Sequence, residues 1–416
     1  MCKYKKNSKI ITPICIDIND LSSPKKLNNG IWNRLLPKNS DIKIEIDSTL
    51  ITYPNICLPI AGVLDYYGKN AKLTISDKHD NGYITHTCYQ NPYIAEQTSP
   101  DVLGYPLDKV WKFSTPEGVN ILTDAIIDKV RKSDVVEDGI LQGMTWCLYE
   151  TMDNVLQHAD IQCGFVMGQL QKESHRLVVA VFDYGRGILD SFKGSQYSPG
   201  SHKDAISLAL QERVTRDQSI GQGNGMWGLS QLVIDNGGML RVSSGGQGIQ
   251  IATGNTTDIS STICLNMGPG HRTTLVDFQL DYHSPIDVKK ILGSPVDLWL
   301  ENHELDSGEI TFNVIDECAG TGTRQSAERF RNIVINSLKE SHSKIIIDFT
   351  GVNFISSSFA DELIGKIISK FGIVSFMENF KLTNISKQNR AIINRSVEQR
   401  LAQKYYDENI PDSGDE

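Results

Sequence analysis

The amino-acid sequence predicts an α/β protein of more than one module, and three segments predict it. Leu177-Val-Val-Ala-Val-Phe182 is an unbroken apolar, β-branched run, which reads as a buried strand. Leu141 to His158 sets Met144, Cys147, Leu148, Thr151, Val155 and His158 at steps of three and four, the spacing of one helix face. Ser343 to Asp348 is a second strand, followed by a turn and a helix that gathers Phe359, Leu363, Ile364, Ile367 and Ile368 on one side. A chain of 416 residues has room for two to three domains, and 39% apolar content fills ordinary cores.

In chain order, residues 1–39 form an N-terminal segment. Its opening, MCKYKKNSK, is basic but leads into no long apolar core, so it does not read as a signal peptide. Residues 40–115 read as an α/β module. There Lys43-Ile-Glu-Ile-Asp47 and the following STLITYPNICLPIAGVLDYYGKNAKLTI align without a gap to Lys344-Ile-Ile-Ile-Asp348 and FTGVNFISSSFADELIGKIISKFGIVSF. Both copies read as strand, Asp, turn, polar cap, helix, glycine and strand. The shared order suggests a degenerate repeat, although strand-turn-helix-strand is common in α/β proteins.

The third segment, 116–282, carries three motifs in fixed order. Glu150, Asn154 and His158 are spaced four apart, so on a helix they stand one turn above another as a polar edge. Asp183 ends the buried strand and is followed by Gly185 and Gly187, where backbone can approach a ligand with no Cβ in the way. Gly221, Gly223, Gly225 and Gly228 form a glycine cluster before the helical run Leu229–Ile234, and such a loop turns backbone N–H groups toward anions. Gly270-His-Arg-Thr-Thr274-Leu-Val-Asp-Phe278 closes the segment with a strand.

These motifs in this order resemble the GHKL, or Bergerat-fold, nucleotide-binding domain of gyrase, MutL, histidine kinases and anti-sigma-factor kinases. The resemblance implies a central Bergerat-type α/β sandwich, one mixed sheet with helices on one face, and ATP with Mg²⁺ as its ligands. By that resemblance Asn154 holds Mg²⁺ between the phosphates and Glu150 polarises the attacking water or acceptor hydroxyl. A single amide oxygen suits Mg²⁺, which keeps waters and phosphates as its other ligands. Asp183 accepts the adenine amino group. His158, Gly185, Gly187, Gly221, Gly223, Gly225, Gly228 and Thr274 line the cofactor site. The stretch from Ile188 to Gly221 is where the family keeps its ATP lid, with Lys203, Arg213 and Arg216 as candidates to meet phosphate.

Residues 283–402 resemble the STAS fold of anti-anti-sigma factors, and more closely the STAS-like domains found beside GHKL ATPases. The second alignment partner, 40–115, is then expected to be a STAS-like flank as well. In STAS proteins a serine at the start of the helix is phosphorylated, and Ser357 in the run Ser356-Ser357-Ser358 matches it. The acidic residue that usually precedes it is Ser356 here, and serines at a helix start also serve as caps. The stretch 403–416 is an acidic tail.

A net charge of −9 argues against a general nucleic-acid binder, which needs a basic surface. No stretch approaches a membrane span. Eight scattered cysteines without a CxxC pair fit a reducing cytoplasm. The resemblance implies a Mg-ATP-binding regulatory ATPase whose nucleotide state controls a STAS-like domain that meets a protein partner, in bacterial signalling, stress or defence. A serine protein kinase acting on its own or a partner STAS domain is the alternative. GHKL domains often hydrolyse ATP when two copies meet, so a homodimer is a further expectation. Pro116 to Gly143 contains no histidine, against a sensor histidine kinase, and the chain after Phe278 is unlike a gyrase or MutL transducer.

Overall fold

The computed structural model describes residues 14–18, 40–46, 53–69, 71–77, 86–161, 163–212, 225–259, 267, 272–292, 309–318, 320–341 and 343–409. The chain divides into two compact units. The first joins Met1–Ile126 to Trp146–Tyr282, and the second joins Ile127–Thr145 to His283–Glu416. The α/β class predicted from the sequence holds in both.

The first unit opens with a small parallel sheet of strands β1 (Ile14–Ile18), β2 (Ser40–Ile46) and β3 (Ala71–Asp77), in that order. Helix α1 (Pro54–Gly68) connects β2 to β3, the crossover that parallel neighbours require. Pro54 starts α1, where its missing N–H costs nothing. Cys57, Leu58, Ile60, Ala61, Val63 and Leu64 are apolar on every side of the helix and are all buried. Such a helix needs cover all round.

That cover comes largely from the main sheet. Eight described strands pair in the order β10-β9-β8-β11-β7-β6-β5-β4. They are β4 (Tyr93–Ile94), β5 (Trp111–Phe113), β6 (Gly164–Gln171), β7 (Arg176–Asp183), β8 (Met239–Ser244), β9 (Gln247–Ala252), β10 (Asn255–Ile259) and β11 (Thr274–Asp281). Neighbours are antiparallel except β4 and β5. Successive side chains on a strand face opposite ways. Phe165, Met167, Ala180, Phe182 and Leu275 pack with α1 in one core. A Cβ on Gly62 would fall on the Phe182 ring, so this glycine sets how closely α1 lies on β7.

The alternate residues face α2 (Pro116–Ser133) and α3 (Ile140–His158). A Cβ on Gly164 would touch Val155, and one on Gly168 would touch Ile126. The sheet was expected to carry helices on one face; α1 covers the second as well. The added layer is a consequence of the apolar circumference of α1.

The second unit holds another three-stranded parallel sheet, β12 (Ile310–Asn313), β13 (Ile345–Asp348) and β14 (Phe380–Thr383), in that order. β12 and β13 are joined through α7 (Arg324–Ser341). Between β7 and β8 of the main sheet lie α4 (Gly187–Ser191), α5 (His202–Ala209) and α6 (Gly225–Asp235). After β13 come α8, continuous through Ser357–Ala360, a wide π-turn at Asp361–Gly365 and Lys366–Phe371, then α9 (Ile373–Asn379). α10 (Lys387–Asn409) follows β14. Phe330, Val334, Ile347, Phe359, Leu363, Ile367 and Phe380 share one core.

The aligned copies agree in strand and helix but not in the closing strand. Residues 71–77 are β3, whereas the matching 373–376 lie in α9. A short apolar run does not distinguish strand from helix by itself. Gly372, at φ +83, ends α8, and Phe376 then stacks on Phe380 with centroids 5.2 Å apart. Val374 and Met377 are left 68% and 70% exposed, as a one-sided helix allows.

Candidate functional site

Glu150, Asn154 and His158 lie on the last turns of α3, as their spacing predicts. Burial first, and the charge of Asp153 second, push the Glu150 carboxyl above its ordinary range. The Asn154 side-chain nitrogen is buried with no hydrogen-bond partner among the described residues. A buried amide without a partner costs free energy, so it marks a place where another group is expected.

The glycine cluster meets this edge. A Cβ on Gly225 would overlap the Glu150 carboxylate and come within 3.7 Å of Asn154 Nδ2. The helix α6 starts at Gly225 rather than at Leu229 as the sequence suggested, so Gly225 and the buried Gly228 both lie in its first turn. Gly221, Gly223, Arg213 and Arg216 fall outside the described residues. Lys203 is described: it is exposed, and its Nζ pairs with Asp258 at 2.7 Å.

The second motif turns at the same end of α3. Asp183 is 4% exposed and sits opposite Thr274 in the β7–β11 register. Its Oδ1 accepts from the Gly185 N–H at 2.7 Å. Burial pushes the carboxyl up to about 6, against the opposing pull of the Gly185 N–H and the Thr274 hydroxyl. Gly185 lies so close to the backbone of Ala159, directly after α3, that a Cβ would strike its carbonyl. Gly187 has φ +75 and passes against Ser244 and Arg272.

Three further residues tie this corner together. Arg186 donates from Nε to the His158 carbonyl at 2.6 Å and from its backbone N–H to that of Ala159 at 2.9 Å. The Ser244 hydroxyl donates to the Thr273 carbonyl and accepts from the Ile188 N–H. The Arg272 N–H donates to the Gly185 carbonyl. Sequence reasoning passed over Arg186, although it is the one cation inside the Asp183–Gly187 motif. Ser244 carried no local signal beyond preceding the turn Gly245-Gly246.

In the second unit the three serines divide their work. Ser356 caps α8, its hydroxyl accepting from the Phe359 N–H at 3.0 Å. Ser358 Oγ lies 2.9 Å from Ser356 Oγ. Ser357 is the first helical residue and is exposed, so capping accounts for its neighbours and not for it. One turn on, the Glu362 carboxylate is buried among Arg324 at 2.9 Å, Lys366 at 2.8 Å and Arg331. Asp361 is bound in two places by Arg400, at 2.6 and 3.0 Å.

No helix among the described residues is long and apolar enough to cross a membrane. No curated protein matches the chain. A solved structure described as full-length ShkA in complex with AMPPNP aligns at 8% identity with a TM-score of 0.23, too slight a likeness to bear on fold. The alignment covers 69% of this chain and 56% of that protein. Residues 326–390 match the family described as "STAS-like domain of unknown function (DUF4325)", and the C-terminal module is accordingly a STAS-like domain.

Proposed function

We propose that the chain is a Mg-ATP-binding regulatory ATPase of the GHKL kind, whose nucleotide state acts on its STAS-like domain and on a protein partner met through it. One observation carries this reading: the last turns of α3 are met both by Gly225, against Glu150 and Asn154, and by the Asp183–Gly187 loop, against Ala159. The partnerless Asn154 amide fits a group that takes Mg²⁺ on its oxygen and a phosphate oxygen on its nitrogen. When bound, the metal supplies charge neutralisation to the phosphates. Asn154 orients that pair, Glu150 takes a proton from the attacking water, and Asp183 accepts from the adenine amino group. His158, Gly185, Gly187, Gly228 and Thr274 complete the walls. A homodimer and a cytoplasmic setting belong to the same proposal. The net charge of −9 disfavours a general nucleic-acid partner.

Asp183 gives this reading a pH dependence. The acceptor is the carboxylate, and burial places its ordinary titration near pH 6 in the free protein. Affinity for an ATP analogue is expected to be constant well above pH 6 and to fall toward tenfold per unit below it, as the carboxyl takes a proton before it can accept the amino group. Calorimetry between pH 5 and 8, as a range about that value, checks it. Asp183→Asn is expected to weaken binding by about 1–3 kcal/mol and to flatten the profile. A profile still sloping below pH 6 in Asp183→Asn assigns it to another group.

A serine kinase is the second reading, and the exposure of Ser357 beside the cap at Ser356 favours it. A phosphate there would sit at a helix start, which suits an anion. Incubation with Mg²⁺ and γ-labelled ATP separates the two. The label is expected mostly as free phosphate, with no stoichiometric phosphoserine at Ser356, Ser357 or Ser358. Near-complete labelling of Ser357, lost in Glu150→Ala, would establish the kinase instead.

A further inference from the structure

We propose that Tyr184 and Asp65 form a clasp by which α1 of the N-terminal module positions Asp183, and that this clasp sets the preference of the site for adenine over guanine nucleotides. The proposal rests on the nucleotide reading above and goes beyond it by assigning a role to a helix outside the three motifs.

Three consecutive residues carry the case. Phe182 packs on α1 where Gly62 leaves room for its ring. Asp183 belongs to the candidate site. Tyr184 turns back to the α1 side, as alternation along a strand requires. Its ring meets Tyr66 at 5.6 Å and Phe165 at 6.1 Å between centroids. Its hydroxyl donates to Asp65 Oδ2 at 2.6 Å and accepts from Lys69 Nζ at 2.8 Å. Lys112 holds the other Asp65 oxygen at 2.6 Å. Burial first, and the bond to Asp65 next, push the Tyr184 hydroxyl far up, so it remains a donor. The other end of α1 is tied too: Asn55 donates to Asp277 on β11 at 2.8 Å. β11 begins with Thr274, which faces Asp183. The helix therefore grips both strands that hold the carboxylate and its hydroxyl neighbour.

Placement matters here because a carboxylate discriminates only when aimed. Adenine offers an amino donor where guanine offers a carbonyl acceptor, and a fixed buried acceptor rejects the latter. A recognition group needs to be held within about 0.5 Å by its supporting contacts. A side chain next to Asp183, anchored on a separate helix, supplies that support.

The test uses the full chain and two analogues, AMPPNP and GMPPNP, each with Mg²⁺. Tyr184→Phe keeps the ring and removes the hydroxyl; Asp65→Asn keeps the shape and removes the charge. Each is expected to weaken AMPPNP about tenfold while GMPPNP changes little, so the selectivity ratio shrinks. The double variant is expected to lose no more than either single one, as residues in one contact do. AMPPNP is also expected to slow amide exchange along α1 in the parent chain and not in Tyr184→Phe. Equal losses for both analogues, or none for either, in a Tyr184→Phe chain that unfolds at the parental temperature would overturn the clasp and leave the nucleotide reading standing. Absence of AMPPNP binding in the parent chain would overturn both.

Discussion

Glu150→Gln is expected to stop turnover and keep the nucleotide. The carboxylate lies against the first residue of α6, where Gly225 leaves space for it and a larger residue would not. Burial and Asp153 raise its proton affinity, which suits a group that takes a proton near neutral pH. Glutamine preserves the volume and the contact with Gly225 but has no basic oxygen. Removing a general base costs about 10²–10⁴ in rate. Phosphate release should fall by that factor, with AMPPNP affinity within about twofold of the parent because uniform binding is untouched. Undiminished hydrolysis would place the base elsewhere. A matching loss of affinity would make Glu150 a binding residue instead.

The largest stability effect is expected at Glu362→Ala, in the STAS-like domain. The side chain is 1% exposed and is held by Arg324, Arg331 and Lys366. Removing it strips Arg331, 13% exposed, of its buried partner, while Arg324 and Lys366, 52% and 39% exposed, keep their hydration, so the loss is expected at about 1–3 kcal/mol. Burial pushes this carboxyl up, but the Lys366 bond and the charges of Arg331 and Lys366 outweigh it and hold it below its ordinary value. The unfolded chain titrates at the ordinary glutamate value, so the stabilisation is complete above that pH and is lost as pH falls through the depressed one. Denaturant unfolding followed by amide exchange in β13 and α7 should show the loss in Glu362→Ala at neutral pH. Glu362→Gln should remove the acid-dependent part alone. A variant as stable as the parent would mean that Arg331 and Lys366 find other partners.

Much of the site's scaffold was legible because it is local. The spacing from Leu141 to His158 anticipates α3 to within a residue, and the apolar run before Asp183 anticipates β7. Thr274 was assigned to the cofactor site by resemblance alone, and its place opposite Asp183 in the β7–β11 register could not be read from the sequence. What escaped was non-local or a matter of single residues. Asp65 and Tyr184 are 119 positions apart, and nothing near either one announces the other. The all-round apolar surface of α1 marks a buried helix, yet not which sheet buries it. Gly225 and Gly228 read as loop because glycine is costly in helices, but close approach to Glu150 outweighs that cost. Ser356 and Ser357 look alike in sequence; only the φ and ψ of the helix start decide which one turns inward to cap.

The wide turn at Asp361–Gly365 gives α8 two independent angular settings. A regular helix advances about 100° per residue, so one extra residue offsets the part before it from the part after it by roughly that angle. Leu363, Ile364, Ile367 and Ile368 can then point into the core while Ser357 points to water and Glu362 enters the arginine cluster. Shortened by a single residue there, the helix would turn Phe359 and Ala360 by about 100° relative to Ile367 and Ile368, and the two pairs could no longer share one core. The bulge acts as a phase shifter: Phe359 and Ala360 before it and Ile367 and Ile368 after it serve one core, while Ser357 is left facing water.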